Sequence, residues 1–169
     1  FLRDHGLSHG PFAVIRSAED INNAAPTLFP AILKVARFGY DGKGQATVVN
    51  REEAITAFAH FKGEACVLEK RLALDYEISV ILARDQDGRV CCFPTGENQH
   101  TRGILDVSIV PARTSDNLRR EAEALAARIA ENLDYIGTMG VEFFVSGGQL
   151  VINEMAPRPH NSGHYTLDA

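Results

Sequence analysis

Val141-Glu142-Phe143-Phe144-Val145-Ser146-Gly147-Gly148-Gln149-Leu150-Val151-Ile152-Asn153-Glu154 reads as two apolar strands joined at a pair of glycines. Runs of this kind around Ser-Gly-Gly signal a hairpin. On the first strand Val141, Phe143 and Val145 face one way and leave Glu142 and Phe144 on the other. On the second, Leu150 and Ile152 share a face that Glu154 continues. With a short turn the two acids come close across the ladder, roughly 5 Å apart at Cβ if directly opposed. Like charges there repel. A divalent cation between them makes the pair tolerable, and oxygen ligands of this type suit Mg²⁺ or Mn²⁺. The competing reading leaves both acids on a solvated face with Lys or Arg partners. Asn153 adds a third oxygen only if a bulge turns it toward the site.

Met155 to His164 follows directly and adds Arg158, His160, Asn161 and His164 within a few residues. Pro157, Pro159 and Gly163 argue against a continuous helix, so these side chains are expected on a loop at the strand end, aimed at anionic oxygen. His160 and His164 have the spacing of a helical metal pair, but the same prolines and glycine make anion contacts the better reading.

Outward from this hairpin the chain alternates short strands and helices. Residues 12–15 are a short apolar run, and strands are expected at residues 30–36, 46–49, 65–70, 76–83, 90–94 and 104–112. Helices are expected from Ser17, fading near Pro26, over 51–61, and over 115–133 with Ser115 or Asp116 as cap. Glu97-Asn98-Gln99-His100 reads as a polar loop between strands. The outcome is a mixed α+β chain with largely antiparallel strands.

Three further groups carry chemistry. The hairpin tip Gly39-Tyr40-Asp41-Gly42-Lys43-Gly44 sets glycines around one lysine, so backbone N–H groups and Lys43 could meet a phosphate; a flexible tip explains it equally, and it is not a Walker A loop. Lys34 lies mid-strand among apolar neighbours and calls for an anion, since lysine is seldom buried without a partner. Glu69-Lys70 and Glu77 flank a turn between strands. An acid there could take both ribose hydroxyls and the backbone at 69–72 an adenine edge, although ordinary edge charges would look the same.

Composition narrows the classes. The 169 residues suffice for one core or two small lobes. A net charge of -5 argues against a broad nucleic-acid surface, and no apolar run approaches the ~20 residues of a membrane span. Cys66, Cys91 and Cys92 lack CxxC spacing and are expected as buried thiols in a reducing, cytoplasmic setting. The chain starts at Phe1 rather than Met and ends at Ala169 without a stop signal, which reads as part of a larger protein.

The tracts PAILKVARFGYDGKGQ (30–45), ENQHTRGILDVSIVPAR (97–113) and above all VEFFVSGGQLVINEMAPRPHNSGHYTLD (141–168) resemble the 5-(carboxyamino)imidazole ribonucleotide synthases of the ATP-grasp superfamily. The likeness spans nearly the whole chain, and NExAPRPHNSGH is its most specific part. It implies an ATP-grasp fold in which two α+β lobes with largely antiparallel sheets sandwich the nucleotide, roughly 10–70 forming the small lobe and 71–169 the larger. It also implies flanking N- and C-terminal domains that these 169 residues do not include, a homodimer, and a fragment of little activity on its own.

The implied reaction is ATP-dependent carboxylation of 5-aminoimidazole ribonucleotide with bicarbonate, through carboxyphosphate. The resemblance makes Lys34 and Lys43 phosphate ligands, Glu69, Lys70 and Leu72 the adenine hinge, and Glu77 the ribose acid. Glu142 and Glu154 match Mg²⁺ ligands, with Asn153 beside them. Arg158, His160 and Asn161 match the bicarbonate and carboxyphosphate pocket, while Tyr40, Asp41 and His100 face the ribonucleotide. A formate-dependent glycinamide ribonucleotide transformylase, a biotin-carboxylase-like protein or a non-catalytic ATP-binding module are the alternatives. None is expected to combine Pro157 to His164 with intact metal carboxylates.

Overall fold

The computed structural model describes residues 1–37, 44–101 and 103–167. Two compact units divide the chain, one of residues 10–72 with 102–104, the other of 1–9, 73–101 and 105–169.

The first unit is a four-stranded sheet in the order β1-β4-β2-β3, built from β1 (Phe12–Ile15), β2 (Ala31–Val35), β3 (Gln45–Val48) and β4 (Cys66–Lys70), all antiparallel. Helix α1 (Ala18–Asn23) starts where the chemistry of Ser17 dictates: its hydroxyl accepts from Asp20 N, and Asp20 returns a bond to the Ser17 backbone. Asn50 caps α2 (Arg51–His60) in the same way through Glu53 N. Ile15, Ile21, Leu33, Ala54, Phe58 and Leu68 form the core beneath the sheet. The expected β2–β3 hairpin is present, but its tip, with Tyr40, Asp41 and Lys43, lies outside the described residues.

The second unit is a six-stranded sheet. Its main order is β10 (Gln149–Ala156), β9 (Gly137–Ser146), β5 (Tyr76–Arg84), β7 (Gly96–Thr101), β8 (Ile104–Ile109), and β6 (Val90–Cys92) pairs the far end of β5. Helix α3 (Asp116–Asn132) buries Ala122, Ala126, Ile129 and Ala130 on one face. That face packs with Ile78, Val80, Leu82, Val141 and Phe143, the inward residues of the two central strands. Gly147 and Gly148 both take positive φ, 57° and 73°, as a two-residue hairpin turn requires.

Four sequence expectations need correction. The run 97–100 is strand, not loop, because β5 offers it a pairing edge through Ile78↔Glu97 and Glu77↔Asn98. Its polar side chains hide the strand signal, yet each finds a partner. The last strand continues through Glu154 to Ala156, and a 3-10 helix (Asn161–Leu167) follows where only loop was expected. Cys91 is exposed on the short strand β6, so only Cys66 is buried outright and Cys92 half so. Burial, then Glu123 and Cys91, pushes the Cys92 thiol up to about 11, which keeps it un-ionised. Among the described residues no helix is long and apolar enough to cross a membrane.

Candidate functional site

Glu142 and Glu154 face each other directly across the β9–β10 ladder. Alternation alone would not have paired them. Ile152 opposes Phe143, so an unbroken ladder would set Asn153 against Glu142 and Glu154 against Val141, toward the core. A bulge between Ile152 and Glu154 absorbs Asn153 and turns Glu154 onto the other face. The expectation that Glu154 continues the face of Leu150 and Ile152 is therefore corrected, while the proximity expected of the two acids is present.

His160 completes this neighbourhood. Its Nδ1 lies 3.6 Å from Glu142 Oε1 and its Nε2 3.6 Å from Glu154 Oε1, so the imidazole sits between the carboxylates. Ligand atoms of all three residues lie within 4.8 Å of one another. Burial holds the Glu142 carboxyl above the ordinary carboxylate range, against the pull of His160. The Glu154 carboxylate at Nε2 raises the His160 pKa above the usual imidazole value, against burial and with the charge of Glu142 adding to it. Local packing fixes the ring. A Cβ on Gly140 would lie 3.0 Å from His160 Cβ, so any larger residue would push the loop off β9 by a few tenths of an ångström. Ser162 Oγ, fully buried, is 2.9 Å from His160 Nδ1.

The donor set fits a divalent cation. Glu142 is only 7% exposed, its Oε1 has no hydrogen-bond partner, and the facing carboxylate offers more oxygen at ligand distance.

Arg158 and Asn161 flank this cluster in sequence with local contacts of their own. The Arg158 guanidinium donates to the Pro159 carbonyl at 2.9 Å, and Asn161 Oδ1 accepts from Ser162 N at 2.9 Å. Across the same sheet face, Glu77 Oε2 meets His100 Nδ1 at 3.2 Å. Burial raises the Glu77 pKa, against the opposing pull of His100. Glu97 points toward Arg113, which donates to it from Nε at 3.1 Å and from its backbone N at 3.2 Å, and those bonds hold the Glu97 carboxyl low. A cleft of about 600 Å³ opens beside these residues, lined by Asp75, Tyr76, Glu77, Asn98 and Arg113 among others.

In the first unit, Lys34 Nζ is 2.6 Å from Glu69 Oε2. The anion that Lys34 calls for is thus supplied by the chain, by a residue the resemblance had given a separate role. The N–H groups of Lys70 and Arg71 donate to Pro11 O and Pro30 O at 2.9 Å each, so an adenine edge would have to meet other groups of the stretch that ends at Leu72. Tyr40, Asp41 and Lys43 lie outside the described residues.

Sequence reading missed the contact of His160 with both acids and the pairing of His100 with Glu77. The period-two pattern of β5 and β7 places Glu77, Asn98 and His100 on one face and could have shown the second.

Comparison with known proteins bears on this arrangement. A family model described as the ATP-grasp domain matches residues 1–169. The N5-carboxyaminoimidazole ribonucleotide synthase of Bacillus subtilis (strain 168) is 40% identical over 169 residues, covering 99% of this chain and 44% of that protein. The one from Brucella melitensis biotype 1 is 41% identical, over 98% of this chain and 47% of its own length. The Staphylococcus aureus N5-carboxyaminoimidazole synthetase complexed with ADP has a TM-score of 0.91 and 39% identity, covering 99% of this chain and 45% of that one. The Aspergillus clavatus synthase in complex with ADP and 5-aminoimidazole ribonucleotide has a TM-score of 0.88 and 27% identity, covering 99% and 44%. The chain spans just under half the length of these relatives. With the model matched from first residue to last and both antiparallel sheets accounted for by these structures, the chain belongs to the ATP-grasp family.

Proposed function

We propose that this chain is the ATP-grasp part of a synthase that uses ATP and bicarbonate to carboxylate 5-aminoimidazole ribonucleotide in purine biosynthesis. The observation that carries the reading is the bulge-paired Glu142 and Glu154 with His160 between them, in a chain about 40% identical to named synthases of that reaction. Glu142 and Glu154 would hold a divalent cation, Mg²⁺ or Mn²⁺, with Asn153 close at hand. When bound, such an ion neutralises phosphate charge during phosphoryl transfer.

The remaining roles fall to the chain's own side chains. Lys34, released from Glu69 or shared with it, takes a phosphate oxygen of ATP, and Lys43 does the same. Glu69, Lys70 and Leu72 hold the base, and Glu77 the ribose hydroxyls. Arg158 and His160 bind bicarbonate, and Asn161 orients it. A bicarbonate oxygen attacks the γ-phosphorus, ADP leaves, and carboxyphosphate forms. The exocyclic amine of the ribonucleotide, placed by Tyr40, Asp41 and His100, then attacks the carboxyl carbon. Inorganic phosphate departs with the bridging oxygen, and the amine gives up a proton.

His160 suits the anionic half of this chemistry because the two acids beside it raise its pKa above the usual imidazole value. ADP release by the full-length protein, measured with and without the ribonucleotide, tests the reading. Release that rises with the ribonucleotide only when bicarbonate is present supports it. Release stimulated by glycinamide ribonucleotide and formate instead would overturn it.

A further inference from the structure

Among the described residues, three of the buried polar atoms without a hydrogen-bond partner fall on one face of the larger sheet: Ser79 Oγ, Asn98 Nδ2 and Glu142 Oε1. Register explains the grouping. Ser79 stands opposite Glu142 on one side and opposite Gly96 on the other, and Asn98 stands opposite Glu77, two residues before Ser79 on the same face. All three residues are nine-tenths buried or more, at 0%, 4% and 7% exposure. Orphaned polar atoms at that depth are costly, and native proteins satisfy nearly all of them.

Gly96 shapes the place where they meet. A Cβ there would lie 3.6 Å from Ser79 Oγ, 3.9 Å from Asn98 Oδ1 and 3.5 Å from Val110 Cγ2. The glycine thus leaves a notch of methyl size bordered by a hydroxyl and a carboxamide, with Ser79 between it and Glu142 in the ladder. Two to four polar partners are what a buried water needs.

We propose that Ser79 is a positioning residue for the cation site, its hydroxyl holding the buried oxygen of Glu142 through one ordered water in the Gly96 notch. The water accepts the Ser79 O–H, donates to Glu142 Oε1, and exchanges its remaining bond with the Asn98 carboxamide. Glu142 is thereby turned and held, with that same Oε1 3.6 Å from His160 Nδ1 and the residue directly opposite Glu154. Partners one step removed from a metal commonly govern affinity by fixing the ligand's orientation. This inference rests on the reading that Glu142 and Glu154 bind a divalent cation.

Mn²⁺ titration of the full-length protein, followed by the electron paramagnetic resonance of free Mn²⁺, tests it with the parent, Ser79→Ala, Gly96→Ala and the double variant. Ser79→Ala removes the hydroxyl, whereas Gly96→Ala fills the notch at ordinary contact distances and leaves the hydroxyl in place. Each single variant is expected to weaken Mn²⁺ binding about tenfold, the lower end for such outer partners. The double variant should lose no more than either single one, since all three remove the same water. The metal-free melting temperature should fall no further in the double variant than in Gly96→Ala, whereas separate structural roles would give losses that add.

Mn²⁺ affinity within twofold of the parent in either single variant, or losses that multiply in the double variant, would overturn the proposal. If the parent itself binds no Mn²⁺, the cation reading fails instead. Should Gly96→Ala not fold, a high-resolution crystal structure of the full-length parent decides: a water bonded to both Ser79 Oγ and Glu142 supports the proposal, and a direct Ser79 to Glu142 bond or a dry notch ends it.

Discussion

Glu154 stands opposite Glu142 only because β10 spends one extra residue, Asn153, on a bulge. Without that residue out of register, Glu154 would point at the core beside Val141 and the acids would lie on opposite faces. A bulge that aims a side chain at a site, in a strand otherwise regular, is the local device on which the proposed chemistry depends.

Replacing either acid by its amide keeps the shape and removes the charge. Because even outer partners of a metal cost about 10–100-fold in affinity, Glu142→Gln and Glu154→Gln should each weaken Mn²⁺ binding at least about 100-fold. The metal-free stability of Glu142→Gln should rise at neutral pH, since burial penalises the charged form of this carboxyl. Calorimetric unfolding in chelator, alongside the Mn²⁺ titration, measures both.

Gly140→Ala tests the seat of His160. The added methyl would meet His160 Cβ at 3.0 Å and Ile81 Cδ1 at 3.4 Å, and the first of these is close to the main chain and cannot swing away. Overpacking of this kind costs about 1–3 kcal/mol, so the variant should fold with a lowered melting temperature. Its His160 should leave the acids, which the imidazole signals in a proton NMR pH titration would report as a fall toward the ordinary histidine pKa.

Lys34→Met separates stability from ligand binding. The Lys34–Glu69 pair is 31% and 39% exposed at its side chains, so its loss should change stability by less than about 1 kcal/mol. A charged hydrogen bond to phosphate is worth about 1.5–3 kcal/mol, and ATP affinity should drop tenfold or more. Equilibrium dialysis with ATP gives the second value and urea unfolding the first.

Glu97 and Arg113 set a pH dependence remote from the acid pair. Arg113 lowers the Glu97 pKa below its unfolded value, so the contribution to stability is present above the ordinary carboxylate pKa and is lost as pH falls through the lowered one. Arg113→Met should therefore melt several degrees lower than the parent at neutral pH. That deficit should narrow below about pH 4.5, where the orphaned Glu97 takes up a proton. A deficit that is flat from neutral to acid pH would show that the guanidinium acts through packing alone.

Much of this architecture was legible because each signal had a local cause. Ser17 and Asn50 start their helices through side-chain bonds to N–H groups three residues on, and Gly147-Gly148 turns the hairpin through two positive φ angles. Strand β7 was illegible because its polar run owes its pairing to β5 and its side-chain bonds to Arg113, Glu77 and Ser108, partners outside the run. The acid pair was legible as a proximity but not as a register, since a bulge leaves no composition signal at Asn153. For His160 the neighbouring residues suggested anion contacts. Its seat between Glu142 and Glu154 needed the close approach that Gly140 permits.

Oxygen transfer tests the central claim, that these residues direct the γ-phosphoryl group of ATP to bicarbonate, more directly than any substitution. The full-length protein would be supplied with ATP, the ribonucleotide and ¹⁸O-labelled bicarbonate, and the inorganic phosphate analysed by ³¹P NMR or mass spectrometry. One ¹⁸O atom in each phosphate is the predicted result, because the bridging oxygen of carboxyphosphate leaves with phosphorus. Phosphate free of label, with ribonucleotide carboxylated all the same, would contradict the account.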